Sequence, residues 1–452
     1  MIDQQSLGLL HELMHKLING FSRRSDFSIA LDQRSKEILE VLVQRLESTD
    51  PYFSPGYMGH MSSYVHPLSS SAYWLAMQLN SNNHSYDGGR ATTELEHECI
   101  SELGNLFGWS NVQGHLCSGG TIGNFEALWS AREQGCDVVI ASSSSHYCHK
   151  RAAGILGMTY LEARVDEQHR IDVERVSEML SRSRSAVIVA TCGTTAVGAV
   201  DGIAQLASLA ASHSALLHVD AAYGGYYRLV TSCLDKAVGD DLRAITLADS
   251  VVVDPHKHGM QGFGCGAVLF RDDRQRVYAH DAPYTYGDKT RDHLGLISLE
   301  CSRPGATAAA LWATLQAFPL IAEGRFGERL RICHEQAVAL YEALLEHPRY
   351  RPLLKPDTDI VCLIPRACGD TADPLEMIMQ DVARLRTAGI YVATMQFEQQ
   401  DGSAFHGIRC VMMKPEHGRT AQRLLEILAV SVLRPETAMD SALKHGGTDK
   451  RL

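Results

Sequence analysis

None of the 12 cysteines in this 452-residue chain forms a Cys-x-x-Cys pair, so neither a zinc ribbon nor a disulfide lattice is expected. Basic charge is not in excess: 53 acidic residues stand against 42 basic ones, and a net charge of −11 opposes a polyanionic partner such as nucleic acid. No apolar run approaches the roughly 18 to 20 residues that cross a bilayer, so no membrane span is expected. Residues 1–10 carry Asp3, Gln4, Gln5 and Ser6 rather than a basic stretch followed by an apolar core, which makes the cytoplasm the expected compartment. Internal repeats and low-complexity tracts are missing too. What is there is ordinary for a globular chain: 45% hydrophobic and 21% charged residues, at a length that asks for at least two domains.

Leu10, Leu13, Met14, Leu17, Ile18 and Phe21 recur at helical spacing, as do Ile38, Leu39, Leu42 and Leu46, so residues 1–50 read as a helical segment. The stretch 51–60, with Pro51, Pro55, Gly56 and Gly59 among aromatics, reads as an ordered loop. Thr93 and Glu96 have capping-box spacing before an apolar stripe that ends at Gly108. Short β-branched runs at 138–140, 159–161, 186–191, 216–219 and 250–253 alternate with helical stretches, the pattern of a mainly parallel sheet covered on both faces. The expected fold is therefore α/β: a three-layer α/β/α large domain over 51–320, then a small α+β domain over 321–435 with strands at 360–364 and 408–412. A polar tail covers 436–452.

Three features carry chemistry. The run 250–253 leads into Asp254, Pro255, His256 and Lys257, which sets a lysine beyond the carboxyl end of a buried strand. Ligands sit there in open α/β sheets, and an amine there can form a Schiff base; a solvated loop lysine is the alternative. The run 216–219 ends in Asp220, either a carboxylate in need of a cationic partner or a helix cap. Ser118-Gly119-Gly120-Thr121-Ile122-Gly123-Asn124 opens a helix with small residues that bare backbone N–H groups to an anion. It has neither the Gly-x-Gly-x-x-Gly spacing nor a Walker lysine, so a dinucleotide or nucleoside triphosphate is disfavoured.

An amine, an acid and an anion cradle together suit pyridoxal 5′-phosphate. His218-Val219-Asp220-Ala221-Ala222-Tyr223-Gly224-Gly225 and Asp254-Pro255-His256-Lys257, in this order, resemble the fold-type I, group II pyridoxal phosphate decarboxylases, with sphingosine phosphate lyase as a cousin. The resemblance implies that Lys257 binds the cofactor covalently and later returns a proton. Asp220 would pair with the pyridine nitrogen, His146 would stack on the ring and Ala222 would pack on its other face. Gly120 and Thr121 would cradle the phosphate with His256 as a further donor, and Thr194 would lie near the ring substituents. Ser302 and Arg303 would approach the phosphate, in relatives often across a dimer interface.

For the substrate, the resemblance implies Arg409 as a carboxylate-binding residue and His60 as part of a pocket loop. Tyr284 or Tyr286 would be the loop tyrosine that protonates the substrate carbon. No metal is implied. His258, next to Lys257, departs from the aromatic residue usual at that position. The expected activity is an L-amino acid decarboxylase acting on acidic or aromatic substrates, in a homodimer whose active sites use both chains. A carbon–carbon lyase, an aminotransferase or a decarboxylation-dependent oxidative deaminase would use the same scaffold, and a pyridoxal phosphate-binding protein without turnover is the rival outside enzymology.

Overall fold

The computed structural model describes residues 3–21, 31–272, 293–366, 373–398 and 404–430. Seven strands form the main sheet: β1 (Gln113–Cys117), β2 (Val138–Ser142), β3 (Thr159–Ala163), β4 (Ala186–Thr191), β5 (Leu216–Asp220), β6 (Ser250–Val253) and β7 (Gly266–Phe270). Their order is β1-β7-β6-β5-β4-β2-β3, and only β7 runs antiparallel to its neighbours. Every residue of β4, β6 and β7 is buried, as expected where helices cover both faces and strands are rich in Val, Ile and Ala. The five runs picked out by β-branched residues are all strands; β1 and β7 escaped because β1 contains Gln113, Gly114 and His115 and β7 is a short apolar run of no distinct period.

The parallel strands point their carboxyl ends to one edge, so the loops after β1, β2, β4, β5 and β6 meet there. In the register of β5 on β6, Asp220 stands opposite Val252. Lys257, four residues beyond the end of β6, is thereby delivered beside the carboxylate that closes β5.

A second, four-stranded antiparallel sheet has the order β10-β11-β9-β8, from β8 (Tyr350–Pro352), β9 (Ile360–Pro365), β10 (Ala393–Glu398) and β11 (Ala404–Val411). Helices α11 (Arg325–Leu345) and α12 (Pro374–Thr387) pack on it, and α13 (His417–Ala429) packs on both helices. The sequence pattern showed two of these four strands. Met58, assigned by sequence to the large domain, is fully buried in the core of this second unit, and Tyr57 pairs with Tyr391 in a parallel bridge. Three cations hold the same loop: Lys414 donates to the carbonyls of Tyr57 (2.9 Å) and Ser62 (3.3 Å), Arg409 to Gly59 (2.9 Å) and Arg329 to the Ser63 hydroxyl (2.5 Å).

Helix α1 (Gln4–Phe21) buries only Leu10 and Met14, and α2 (Gln33–Leu46) buries nothing, although Ile38, Leu39, Leu42 and Val43 lie on it. Helix α4 (Arg90–Leu106) starts one turn earlier than the capping-box spacing implied: Gly89 is its N-cap, and Thr93 is already inside the helix. Glu96 is not a capping residue at all. It is buried and bound to Arg303 Nη1 (2.5 Å), Asn83 Nδ2 (2.6 Å) and the Leu116 N–H (2.9 Å). Among the described residues no helix is long and apolar enough to cross a membrane.

Candidate active site

A cavity of about 370 Å³ opens where the strand-end loops converge. Its wall takes Ser118 to Thr121 from the β1 loop, His146 from the β2 loop, Thr191 at the end of β4 with Gly193 and Thr195 beyond it, Asp220 at the end of β5 with Ala222 beyond it, and Asp254, His256 and Lys257 after β6. Motifs far apart in the chain thus become one surface: Lys257, Asp220, Ala222, His146, Gly120, Thr121 and His256 all line it.

The cradle is bare backbone. Gly119 has φ +149°, and a Cβ there would stand 3.1 Å from the His256 ring; a Cβ on Gly120 would stand 3.0 Å from Asp254 Oδ2 and 3.1 Å from the Ala222 methyl. Helix α5 (Gly120–Glu133) begins at that point, and the N–H groups of Gly120 and Thr121 have no carbonyl one turn back to bond. Free donors at the positive end of a helix form an anion site. His256 closes it, with Nδ1 2.9 Å from the Cys265 carbonyl; burial lowers its pKa, against the opposing pull of Asp254.

Asp220 is 5% exposed and surrounded by donors. Asn124 Nδ2 donates to Oδ2 (3.0 Å), the Ala222 N–H donates to Oδ1 (3.1 Å), and His149 Nε2 lies 3.2 Å from Oδ2. Burial by itself would raise its pKa, but His149, Lys257 and His218 outweigh that and hold the carboxyl well below the usual range. Asn124 is oriented in turn: its Oδ1 lies 2.8 Å from His218 Nε2, and His218 Nδ1 lies 2.9 Å from the Ser250 hydroxyl. Burial lowers the pKa of His218 to about 3, so it is neutral and donates through Nε2. Lys257 Nζ lies 3.3 Å from Asp254 Oδ2, and Asp254 Oδ1 is buried with no hydrogen-bond partner. His146 sits over the cavity with its pKa lowered by burial.

These surroundings fit pyridoxal phosphate: a glycine cradle for the phosphate, an ionised carboxylate for a ring nitrogen, an imidazole and a methyl for the two ring faces, and an amine for the aldehyde. The other residues named from the sequence lie elsewhere. Thr194 is fully buried, and its hydroxyl accepts from the Ala199 N–H (3.1 Å); its neighbours Gly193 and Thr195 line the cavity instead. Arg303 points away from the cradle into its ion pair with Glu96 and also donates to the Leu116 carbonyl (2.6 Å), while Ser302 is exposed and accepts from Asn82 (3.1 Å). Arg409 donates to the carbonyls of Thr195 (2.7 Å) and Gly59 (2.9 Å), behind the cavity wall. His60 is exposed and bonded through Nδ1 to the Tyr57 hydroxyl, while Met61 from the same loop lines the cavity. Tyr284 and Tyr286 lie outside the described residues.

Sequence reasoning missed Asn124, His149 and Asp254. Asn124 was visible only as the end of a glycine-rich turn. His149 stands three residues after His146, just inside the helix Cys148–Leu156, and that closeness in sequence was the available signal.

Comparison with known proteins gives a consistent result. The family described as the pyridoxal-dependent decarboxylase conserved domain matches residues 14–366. A probable L-tyrosine/L-aspartate decarboxylase of Methanothermobacter thermautotrophicus is 32% identical over 339 residues, covering 72% of this chain and 88% of the relative. An L-aspartate decarboxylase of Thermococcus kodakarensis is 29% identical over 285 residues, covering 62% and 72%. Among solved structures, mouse CSAD superposes with a TM-score of 0.77 at 20% identity, covering 95% of this chain and all of the other (100%). Oryza sativa TDC with PLP and tryptamine gives a TM-score of 0.76 at 17% identity, covering 95% and 98%. At these identities the solved structures speak for the fold.

Proposed function

The chain belongs to the pyridoxal-dependent decarboxylase family and is a pyridoxal phosphate-dependent amino acid decarboxylase; on that premise we propose that it releases the α-carboxylate of an acidic or aromatic L-amino acid as CO₂, with Lys257 as the cofactor-binding lysine. The carrying observation is the parallel register of β5 and β6, which sets Asp220 and Lys257 on one cavity floored by Gly119 and Gly120. Pyridoxal phosphate, when bound, supplies a conjugated ring that delocalises the electron pair left behind as CO₂ departs.

The chain's own groups do the rest. Asp220, kept ionised with the help of Asn124 and His149, would hold a proton on the ring nitrogen. His146 and Ala222 would confine the ring, and Gly120 and Thr121 would bind the phosphate with help from His256. Lys257 would hold the group through its amine and would carry a proton to the substrate carbon, unless Tyr284 or Tyr286 takes that task. Arg409 lies behind Thr195 and Gly59, where a small shift of the 57–63 loop would present its guanidinium to a substrate carboxylate. His60 and Met61 belong to that loop. Arg303 ties down β1 through the Leu116 carbonyl, and Ser302 adjoins it.

The substrate class rests on the printed names of the relatives, tyrosine and aspartate decarboxylases. We also propose a homodimer: α2 has no buried residue and presents Leu39, Val43 and neighbouring apolar side chains that a second copy would cover. The compartment is read as the cytoplasm, since every cysteine among the described residues is free. The test is to supply the protein with pyridoxal phosphate and each of the twenty amino acids, measuring CO₂ and amine. CO₂ with a stoichiometric amine from L-aspartate, L-glutamate or L-tyrosine is expected. An aldehyde or oxo acid without CO₂ would replace decarboxylation by lyase or transaminase chemistry.

A further inference from the structure

We propose that His258 and Asp359 form a buried hydrogen-bonded latch that fixes the Lys257 turn against the second domain, so that His258 is a positioning residue for the amine beside it. This rests on the reading of Lys257 as the cofactor-binding lysine. His258 occupies the position where the resembling family usually carries an aromatic residue, and it is 1% exposed. Its Nδ1 lies 2.9 Å from the Tyr223 carbonyl and its Nε2 lies 2.9 Å from Asp359 Oδ2. The ring thus bridges the peptide of the β5 loop and a carboxylate of the second sheet, one nitrogen to each. The second carboxylate oxygen of Asp359 accepts from the Tyr223 hydroxyl. The rings of Tyr223 and Tyr227 meet the imidazole edge-on at 4.6 and 5.3 Å and shut water out.

The connection spans three parts of the molecule. Tyr223 lines the cavity and follows Asp220 in the β5 loop, while His258 adjoins Lys257 in the β6 loop. Asp359 is fully buried immediately before β9 in the second sheet, and its carbonyl accepts from the Met412 N–H (2.8 Å). Burial opposes the charged form of Asp359, but the imidazole and the Tyr223 hydroxyl reverse that and lower its pKa. An aromatic residue after the lysine would fill the space. It could not grip a carboxylate of the other domain through one bond and the peptide of the cofactor loop through another.

The test uses His258→Phe, the double variant His258→Phe with Asp359→Asn, and His258→Gln in the full chain. Thermal midpoint, pyridoxal phosphate affinity by fluorescence titration, and borohydride labelling of Lys257 at saturating cofactor are measured for each. His258→Phe alone strands a buried carboxylate and is expected to lower the midpoint; the double variant, with no unpaired charge left, is expected to regain most of it. If the pair positions Lys257, the double variant still binds pyridoxal phosphate about tenfold more weakly and labels more slowly, because displaced reacting groups are costly even in a stable fold. His258→Gln, which keeps one donor, is expected to fold normally and fall between. Recovery of affinity and labelling together with the midpoint in the double variant would reduce the pair to a space-filling role and overturn the proposal. Should the double variant not fold, wild-type affinity and labelling in His258→Gln would overturn it, and a deficit at an unchanged midpoint would support it. Absent labelling of wild-type Lys257 would instead remove the underlying reading.

Discussion

His149 Nε2 lies 3.2 Å from Asp220 Oδ2, fully buried behind the carboxylate that closes β5. Asn124 donates to the same oxygen, and it can do so only because its carbonyl is taken by His218. Donor follows donor from Ser250 through His218 and Asn124 to Asp220. The chain's polarity helps keep negative charge on Asp220, and His149 and Lys257 add to it.

Removing that charge should disable the ring nitrogen without removing the cofactor. An opposite charge at contact is worth roughly one to three pKa units, so Asp220→Asn should lower turnover by about 10- to 1000-fold. Cofactor should remain attached to Lys257. His149→Phe leaves the carboxylate but removes one support, and a loss of about threefold to tenfold is expected. Steady-state rates alongside the cofactor absorption band check both.

The titration of His218 predicts a pH effect on stability. Its pKa is about 3 in the fold against 6.5 in a free side chain. Between those values the unfolded chain binds a proton that the folded chain does not, so this group's contribution to stability falls as pH drops from 6.5. Taking the protein from pH 7 to pH 5 should cost about 2 kcal/mol through His218. His218→Gln, which keeps a donor for Asn124, should lose about that much less over the same interval in urea denaturation. His417, with a similarly lowered pKa, contributes equally to both proteins and cancels.

Glu96 and Arg303 should behave as structure rather than as a phosphate site of their own chain. Arg303→Met leaves Glu96 buried and unpaired, at a cost of about 3 to 5 kcal/mol. The double variant with Glu96→Gln should recover much of that and bind pyridoxal phosphate within a few-fold of wild type. Urea denaturation and cofactor titration check the two halves. A large affinity loss in the stable double variant would return Arg303 to the phosphate.

Arg409 offers a split between binding and chemistry. Arg409→Met removes the donors to Thr195 and Gly59 and the only guanidinium that ties the loop over 57–61 to the cavity wall among the described residues. KM for the amino acid should rise by at least about tenfold, in keeping with a lost charge-assisted pair. Cofactor affinity should change little. Kinetics with the substrate found in the amino acid panel decide it.

The sequence disclosed those features that depend on local pattern. Covered parallel strands show as unbroken Val and Ile runs, so β4, β5 and β6 could be read, and with them Asp220 and Lys257 at their ends. β1 could not, because His115 interrupts it and is reconciled to burial by Glu126, 2.8 Å away on α5, and by the Leu116 carbonyl. Spacing misled at Thr93 and Glu96, where a capping pattern lay inside a helix and the glutamate's partner, Arg303, was far along the chain. Asn124, His149 and Asp359 act through neighbours distant in sequence, and no periodicity announces such contacts. Thr194 and Thr195 differ only in which faces the cavity, a matter of backbone direction after Gly193 at φ +93°.

The central claim is that Lys257 carries the cofactor. Protein incubated with pyridoxal phosphate, reduced with borohydride, digested and read by mass spectrometry should show one reduced cofactor on the peptide containing Lys257, and Lys257→Ala should lose both the label and turnover. A label on another lysine, or full turnover by Lys257→Ala, would contradict the account.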